Sequence, residues 1–95
     1  MATVSKNQKV SRMTNFMEEL AGNVLDGLLA KDSGDFSARA IQDIKALALN
    51  RLWPMYATTD AGKDHLKKVV EEDHIEKDVV RELRAAMDIV RSNPR

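Results

Sequence analysis

Cysteine is absent from this chain, and aromatic rings are nearly so: two Phe, one Trp and one Tyr in 95 residues. The missing thiols exclude disulfides and thiolate metal sites. Glycine is scarce and dispersed, with four in all, so no glycine-rich loop can cradle a phosphate. An excess of either charge is also lacking, since fifteen basic and fifteen acidic residues cancel. A general nucleic-acid coat or a membrane-surface protein needs a basic excess, so both are disfavoured. No apolar run approaches the length of a membrane span, and the N-terminus lacks the apolar stretch of a signal peptide. A cytoplasmic location is the expectation.

What is present is helical periodicity in a chain that is 43% hydrophobic and 32% charged, the balance of a globular domain. Residues 1–12, "MATVSKNQKVSR", are polar and basic without a period and read as a flexible tail. Residues 13–95 read as a single helical domain. A first helix is expected from Thr14 or Asn15, where Asn15 and Glu18 fit a capping box. Phe16, Met17, Leu20, Val24, Leu25, Leu28 and Leu29 form its apolar face. Gly22 and Gly27 weaken this helix, and the close approach of a second backbone would explain them. "KDSGD" at 31–35 breaks the pattern.

A second helix is expected from about Ser37, with Ile41, Ile44, Ala48 and Leu52 along one side. It ends by Leu52 or Trp53, because a residue before Pro54 is pushed out of the α region. Alternatively Asn50, in a left-handed terminal position, ends it a turn earlier. Thr59 or Asp60 would cap a third helix. From there to Arg91 two arrangements compete: one long helix with a polar waist at Asp73 and Glu76, or a bend within "EEDHIEKD". The stripe Ile75, Val79, Leu83, Ala86 and Val90 favours the bend. Period-two alternation is absent, so the fold class is all-α, a compact bundle of three or four helices. So short a chain buries a modest core, which makes a dimer an open expectation.

Catalytic constellations are missing. His65 and His74 fall on opposite faces of a continuous helix and cannot pair on a metal there. No strand–turn–helix elbow offers a strained serine, and neighbouring acidic residues such as Glu71 and Glu72 diverge along a helix. An enzyme is not expected, nor a cofactor or metal.

The stretch "ALALNRLWPMYATT", 46–59, holds the only Trp and the only Tyr beside an arginine and a proline. With its upstream turn, "IQDIKALALNRLWPMYATTDAG" resembles the signature of the late competence development ComFB family. That family typically shows a helix ending in Ala-Leu-Asn-Arg, then Pro-x-Tyr-Ala-Thr. Here Asp43, Ala46, Leu47, Leu49, Asn50, Arg51, Leu52, Pro54, Tyr56, Ala57 and Thr58 carry the likeness, and "NFMEELAGNVLDGLL" is similar to the family's first helix. The resemblance implies a small, helical, dimeric, non-enzymatic bacterial regulator. It further implies a receptor for cyclic dinucleotides, cyclic di-GMP foremost and cyclic di-AMP in some members, with outputs in motility, competence or cell size through a protein partner. The founding member's zinc-binding cysteines lie between the first two helices. Here that connection reads "KDSGDFSAR", so the zinc site does not transfer, and docking of Phe36 on the core is expected to hold the loop instead.

The motif's residue types suit such a ligand. Arg51 can fork onto a phosphate or a guanine edge, or stack on a base. Trp53 and Tyr56 can stack on bases. Thr58 and Thr59 can bring hydroxyls and free N–H groups to an anion at a helix start, with Lys63 a turn beyond and Asn50 donating to a base. Arg81 and Arg84, a turn apart, are additional cationic candidates. Each residue also has a plain reading. Both rings can be core, Arg51 can cap the preceding helix, and Asn50 can be structural. The threonines can be caps alone, and the arginines a solvated face that makes DNA binding a distant third option. A structural adaptor dimer that binds a partner helix remains the rival of a receptor.

Overall fold

The computed structural model describes residues 10–32 and 34–93. The elements run β1 (Val10–Asn15), α1 (Phe16–Lys31), α2 (Ala38–Leu49), β2 (Tyr56–Thr59), α3 (Asp60–Glu72) and α4 (Ile75–Ser92). Most of the expected tail, residues 1–9, lies outside the described residues, as does Arg95; residues 10–12 begin β1.

The core is built by α1, α2 and α4. Leu25, Ile44, Val79 and Leu83 are its largest fully buried side chains, and Ala21, Ala48 and Ala86 are the small positions that let the helices approach. The stripe read from the sequence is the buried one: Val79, Leu83, Ala86, Met87 and Val90 face inward on α4, with Ile75 packed against the cluster. Its steps of three and four keep one side of the helix on the core. By contrast α3 has a single buried residue, Val70.

The chain bends between α3 and α4. His74 takes the left-handed conformation, φ 54° and ψ 36°, while the Asp73 N–H donates to the Val69 carbonyl at 2.9 Å. Exposed Asp73 and Glu76 therefore sit at a corner and need no apolar partner.

The purely helical expectation needs correction. β1 and β2 form a two-stranded antiparallel ribbon with Thr14 opposite Ala57 and Asn15 opposite Tyr56. Its register is irregular between Val10 and Thr14, which removes the alternation that would have betrayed a strand. Asn15 joins the ribbon to the bundle. Its Oδ1 accepts from the Met17 N–H at 3.1 Å, capping α1, and from the Met55 N–H at 2.7 Å, which pins the loop before β2.

Two smaller expectations also fail. Asn50 is right-handed, φ −68° and ψ −16°, and α2 closes through its N–H bonding to Ala46 and Ala48 rather than through a left-handed cap. Among the described residues no second backbone approaches Gly22 or Gly27, since a Cβ built on either meets nothing within 4 Å. These glycines cost helix stability for no contact among the described residues. Gly22→Ala with Gly27→Ala is accordingly expected to stabilise the protein by about 0.5–1 kcal/mol per site. Thermal unfolding checks this, and a loss of stability would mean that another chain lies against this face.

Candidate functional site

The motif occupies the passage from α2 to α3. After Asn50, the Arg51 N–H donates to the Ala48 carbonyl at 3.0 Å and the Leu52 N–H to Leu49 at 3.3 Å, which makes a tight turn. Pro54, having no N–H and a fixed φ, prevents the helix from resuming. Leu52 and Met55 pack inward against the core cluster. Trp53 and Tyr56 point outward, 87% and 58% exposed. Between them the Met55 backbone is anchored twice, its N–H to Asn15 Oδ1 and its carbonyl accepting from the Phe16 N–H. The rings thus stand in water on a pinned frame.

β2 alternates. Ala57 is buried, whereas Tyr56 and Thr58 are exposed. Thr59 ends the strand and caps α3, its Oγ1 accepting from the Gly62 N–H at 3.0 Å. A Cβ on Gly62 would come within 3.2 Å of that oxygen, which accounts for glycine at the position. The hydroxyl of Thr59 thus serves as a cap through one of its acceptor positions.

Beside the ribbon an open groove of about 850 Å³ runs between the starts of α1 and α3 and the middle of α2. Tyr56 and Lys63 line it with Arg12, Gln42, Lys45 and Asp60. Lys63 bonds Glu19 across the groove at 2.7 Å, and this hydrogen bond holds its ammonium above the ordinary value of 10.5. Its charge is already matched. Lys45 and Arg12 make no hydrogen bond or ion pair among the described residues, and the same is true of the exposed Arg51 guanidinium.

The other candidates lie elsewhere. Asn50 borders a hollow between α2 and α4 with Leu47 and Ile89. Arg81 is paired with Asp78 at 3.1 Å and lies 3.8 Å from Glu82. Arg84 lines a separate hollow with Lys31, Asp32 and Arg91. The structure thus brings Tyr56 and Lys63 to one groove, leaves Arg51 and Trp53 on the adjoining corner, and sets Asn50, Arg81 and Arg84 on other surfaces.

Sequence reasoning missed Arg12, Gln42 and Lys45. Gln42 and Lys45, three apart on α2, lie on one side of that helix; this signal was available but weak, because exposed polar positions are the rule on such helices. Arg12 falls in the polar stretch 1–12 that reads as a tail, and the structure places it in β1.

The cysteine-free connector between α1 and α2 is clasped at its edge. Arg91 donates through Nη2 to Asp32 Oδ2 at 2.7 Å, and its guanidinium carbon lies 5.2 Å from the centre of the Phe36 ring. The Gly34 N–H also donates to Asp32, and with Arg91 it holds this carboxyl below its ordinary 3.8. Phe36 packs on the core as expected. Among the described residues no group of three or more His, Asp or Glu is placed to hold a metal ion, and no helix is long and apolar enough to cross a membrane.

Comparison with known proteins bears on these features together. Curated proteins give no significant match. Among solved structures, the late competence protein ComFB from Bacillus subtilis superposes with a TM-score of 0.79 at 19% sequence identity, over 88% of this chain and 93% of that one. At that identity the likeness establishes the fold. The profile described as "Late competence development protein ComFB" matches residues 14–94, a span that holds the whole helix–corner–strand passage and all four helices. On that match the chain belongs to the ComFB family of late competence development proteins.

Proposed function

We propose that the protein is a non-enzymatic receptor for cyclic di-GMP, with cyclic di-AMP as the other candidate ligand. In this reading a homodimer passes ligand occupancy to a protein partner that controls motility, competence or a related behaviour. The observation that carries the reading is the exposure of Trp53 and Tyr56 on a pinned loop. In a chain so poor in aromatics the two largest rings would ordinarily anchor the core. Here they face water next to an arginine that has no side-chain partner among the described residues, the combination that base stacking and phosphate pairing require. The adjoining groove, at about 850 Å³, lies within the roughly 300–1,000 Å³ usual for ligand sites. A ligand with two-fold symmetry suits a dimer that presents one motif twice. Ligand bridging two corners would favour one arrangement of the pair, a population shift.

Titration calorimetry with cyclic di-GMP and then cyclic di-AMP tests this. Heat with saturation in the micromolar range or tighter is expected from at least one of them. The absence of heat and of any melting-point shift at tens of micromolar retires the proposal.

A second reading, an adaptor that binds a partner helix without nucleotide, draws on a different surface. Leu47 and Ile89 are 36% and 45% exposed and share a hollow of about 410 Å³ between α2 and α4. An amphipathic helix could cover them. This surface lies apart from the rings and leaves their exposure unexplained, so it ranks second.

A further inference from the structure

Arg84 stands exposed in the middle of α4, where neither helix end calls for a cation, and it makes no hydrogen bond or ion pair among the described residues. Its natural partner one turn on, Asp88, faces Arg91 instead, with Oδ1 3.5 Å from Nη1. The same Arg91 holds Asp32 through Oδ2 at 2.7 Å, and the other oxygen of Asp32 accepts from the Gly34 N–H at 2.7 Å. One arginine thus answers both carboxylates of the hollow that Arg84 shares with Lys31, Leu28 and Met87, a space of about 380 Å³. Lys31 is likewise exposed and unpaired among the described residues. Two positive charges are therefore left over beside the aliphatic surface of Leu28 and Met87.

We propose that this hollow is the docking site of a protein partner that presents an acidic segment with an aliphatic side chain between its carboxylates. The aliphatic side chain rests on Leu28 and Met87, a methionine adapting its shape to what it meets. The flanking carboxylates pair with Lys31 and Arg84, the arginine through its planar fork. The chemistry favours a protein segment over a nucleotide. No aromatic ring lines the hollow, so a base has nothing to stack on. Asp32 and Asp88, although answered by Arg91, weaken the field that a doubly charged phosphate needs. The hollow lies between α1 and α4, and it shares no lining residue with the groove beside the ribbon. It stands independently of the receptor reading and gives the relay in that reading a face of its own.

The experiment titrates the full chain with a short peptide, Ser-Glu-Leu-Glu-Ser blocked at both ends, and follows backbone amide shifts by NMR. Shifts are expected to gather at Leu28, Lys31, Arg84 and Met87. The same peptide with Gln for Glu, or Ala for Leu, should bind more weakly, and salt should weaken the parent peptide. Lys31→Glu combined with Arg84→Glu should lower its affinity about tenfold or more, since attraction becomes repulsion at both contacts. Both side chains are exposed, and thermal melts establish that the fold is kept. Lys31→Gln with Arg84→Gln, which removes the charges without reversing them, serves should the reversed pair not fold. No shift at the hollow with millimolar peptide, or an affinity unchanged in the charge variants, overturns the proposal. Inorganic pyrophosphate that moves the same amides as strongly at equal concentration also overturns it, by showing a phosphate site. The titration contains no nucleotide, so its failure leaves the receptor reading as it was.

Discussion

Leu83→Ala is expected to lower the free energy of unfolding by about 3–5 kcal/mol, the upper part of the range for a leucine truncated in a closed core. Leu83 is fully buried, near the middle of α4, among Leu25 of α1, Ile44 of α2 and Val79. No cavity wall there can easily collapse, because the small residues Ala21, Ala48 and Ala86 already let the helices approach closely. A domain of this size has about 5–15 kcal/mol in total, so the variant should unfold at a much lower urea concentration with an unchanged slope. Val70→Ala supplies the contrast. Val70 is the one buried residue of α3, and its truncation removes two methyl groups at about 0.8 kcal/mol each, for a loss of about 1–2 kcal/mol. Equal losses at the two positions would mean that α3 is as much a part of the core as α4. The expected inequality has a functional side, because α3 carries Asp60 and Lys63 into the groove. An element with little burial opens locally before the bundle does, and its amides should exchange faster than those of α4.

The helices were legible because their signals are local. Ser37 caps α2 by accepting from the Ala40 N–H, and Thr59 caps α3; both belong to residue types with a short oxygen-bearing side chain at a helix start. The bend at His74 followed from a stripe that changes phase when two polar residues intervene. The ribbon was not legible. Its strands are six and four residues long and are separated in the chain by two helices and two connectors, so neither shows a pattern by itself. What selects them is the partner: Asn15 bonds Met55 only once the bundle has brought the two together. The same circumstance hid the groove. The motif was visible as a contiguous string, but a helix end, a turn and a strand fan contiguous residues outward, sending Asn50 to one surface and Tyr56 to another. Arg12, Gln42 and Lys45 come together with Tyr56 from three different elements. Spacing along the chain could not report that.

Arg51→Ala and Trp53→Ala are expected to separate binding from folding. Arg51 is exposed and without a side-chain partner among the described residues, and Trp53 is 87% exposed. Truncating either should change stability by no more than about 0.5 kcal/mol, as at other uncommitted surface positions. An elbow held by its tryptophan would instead unfold, and the exposure of the ring already speaks against that. For cyclic di-GMP, loss of Arg51 should cost about 2–3 kcal/mol, the worth of a charge-assisted contact whose removal leaves a phosphate unmatched. Loss of Trp53 should cost about 1–3 kcal/mol of stacking. Salt tells the two apart. The Arg51 contribution should shrink as ionic strength rises, since a partly exposed ion pair is screened, whereas stacking should persist. Arg51→Lys should recover only part of the loss, because an ammonium keeps the charge and forfeits the planar fork. Full recovery by lysine would show that charge alone is needed at the corner. Unchanged affinity in both alanine variants would move the binding site away from the corner and onto the groove alone.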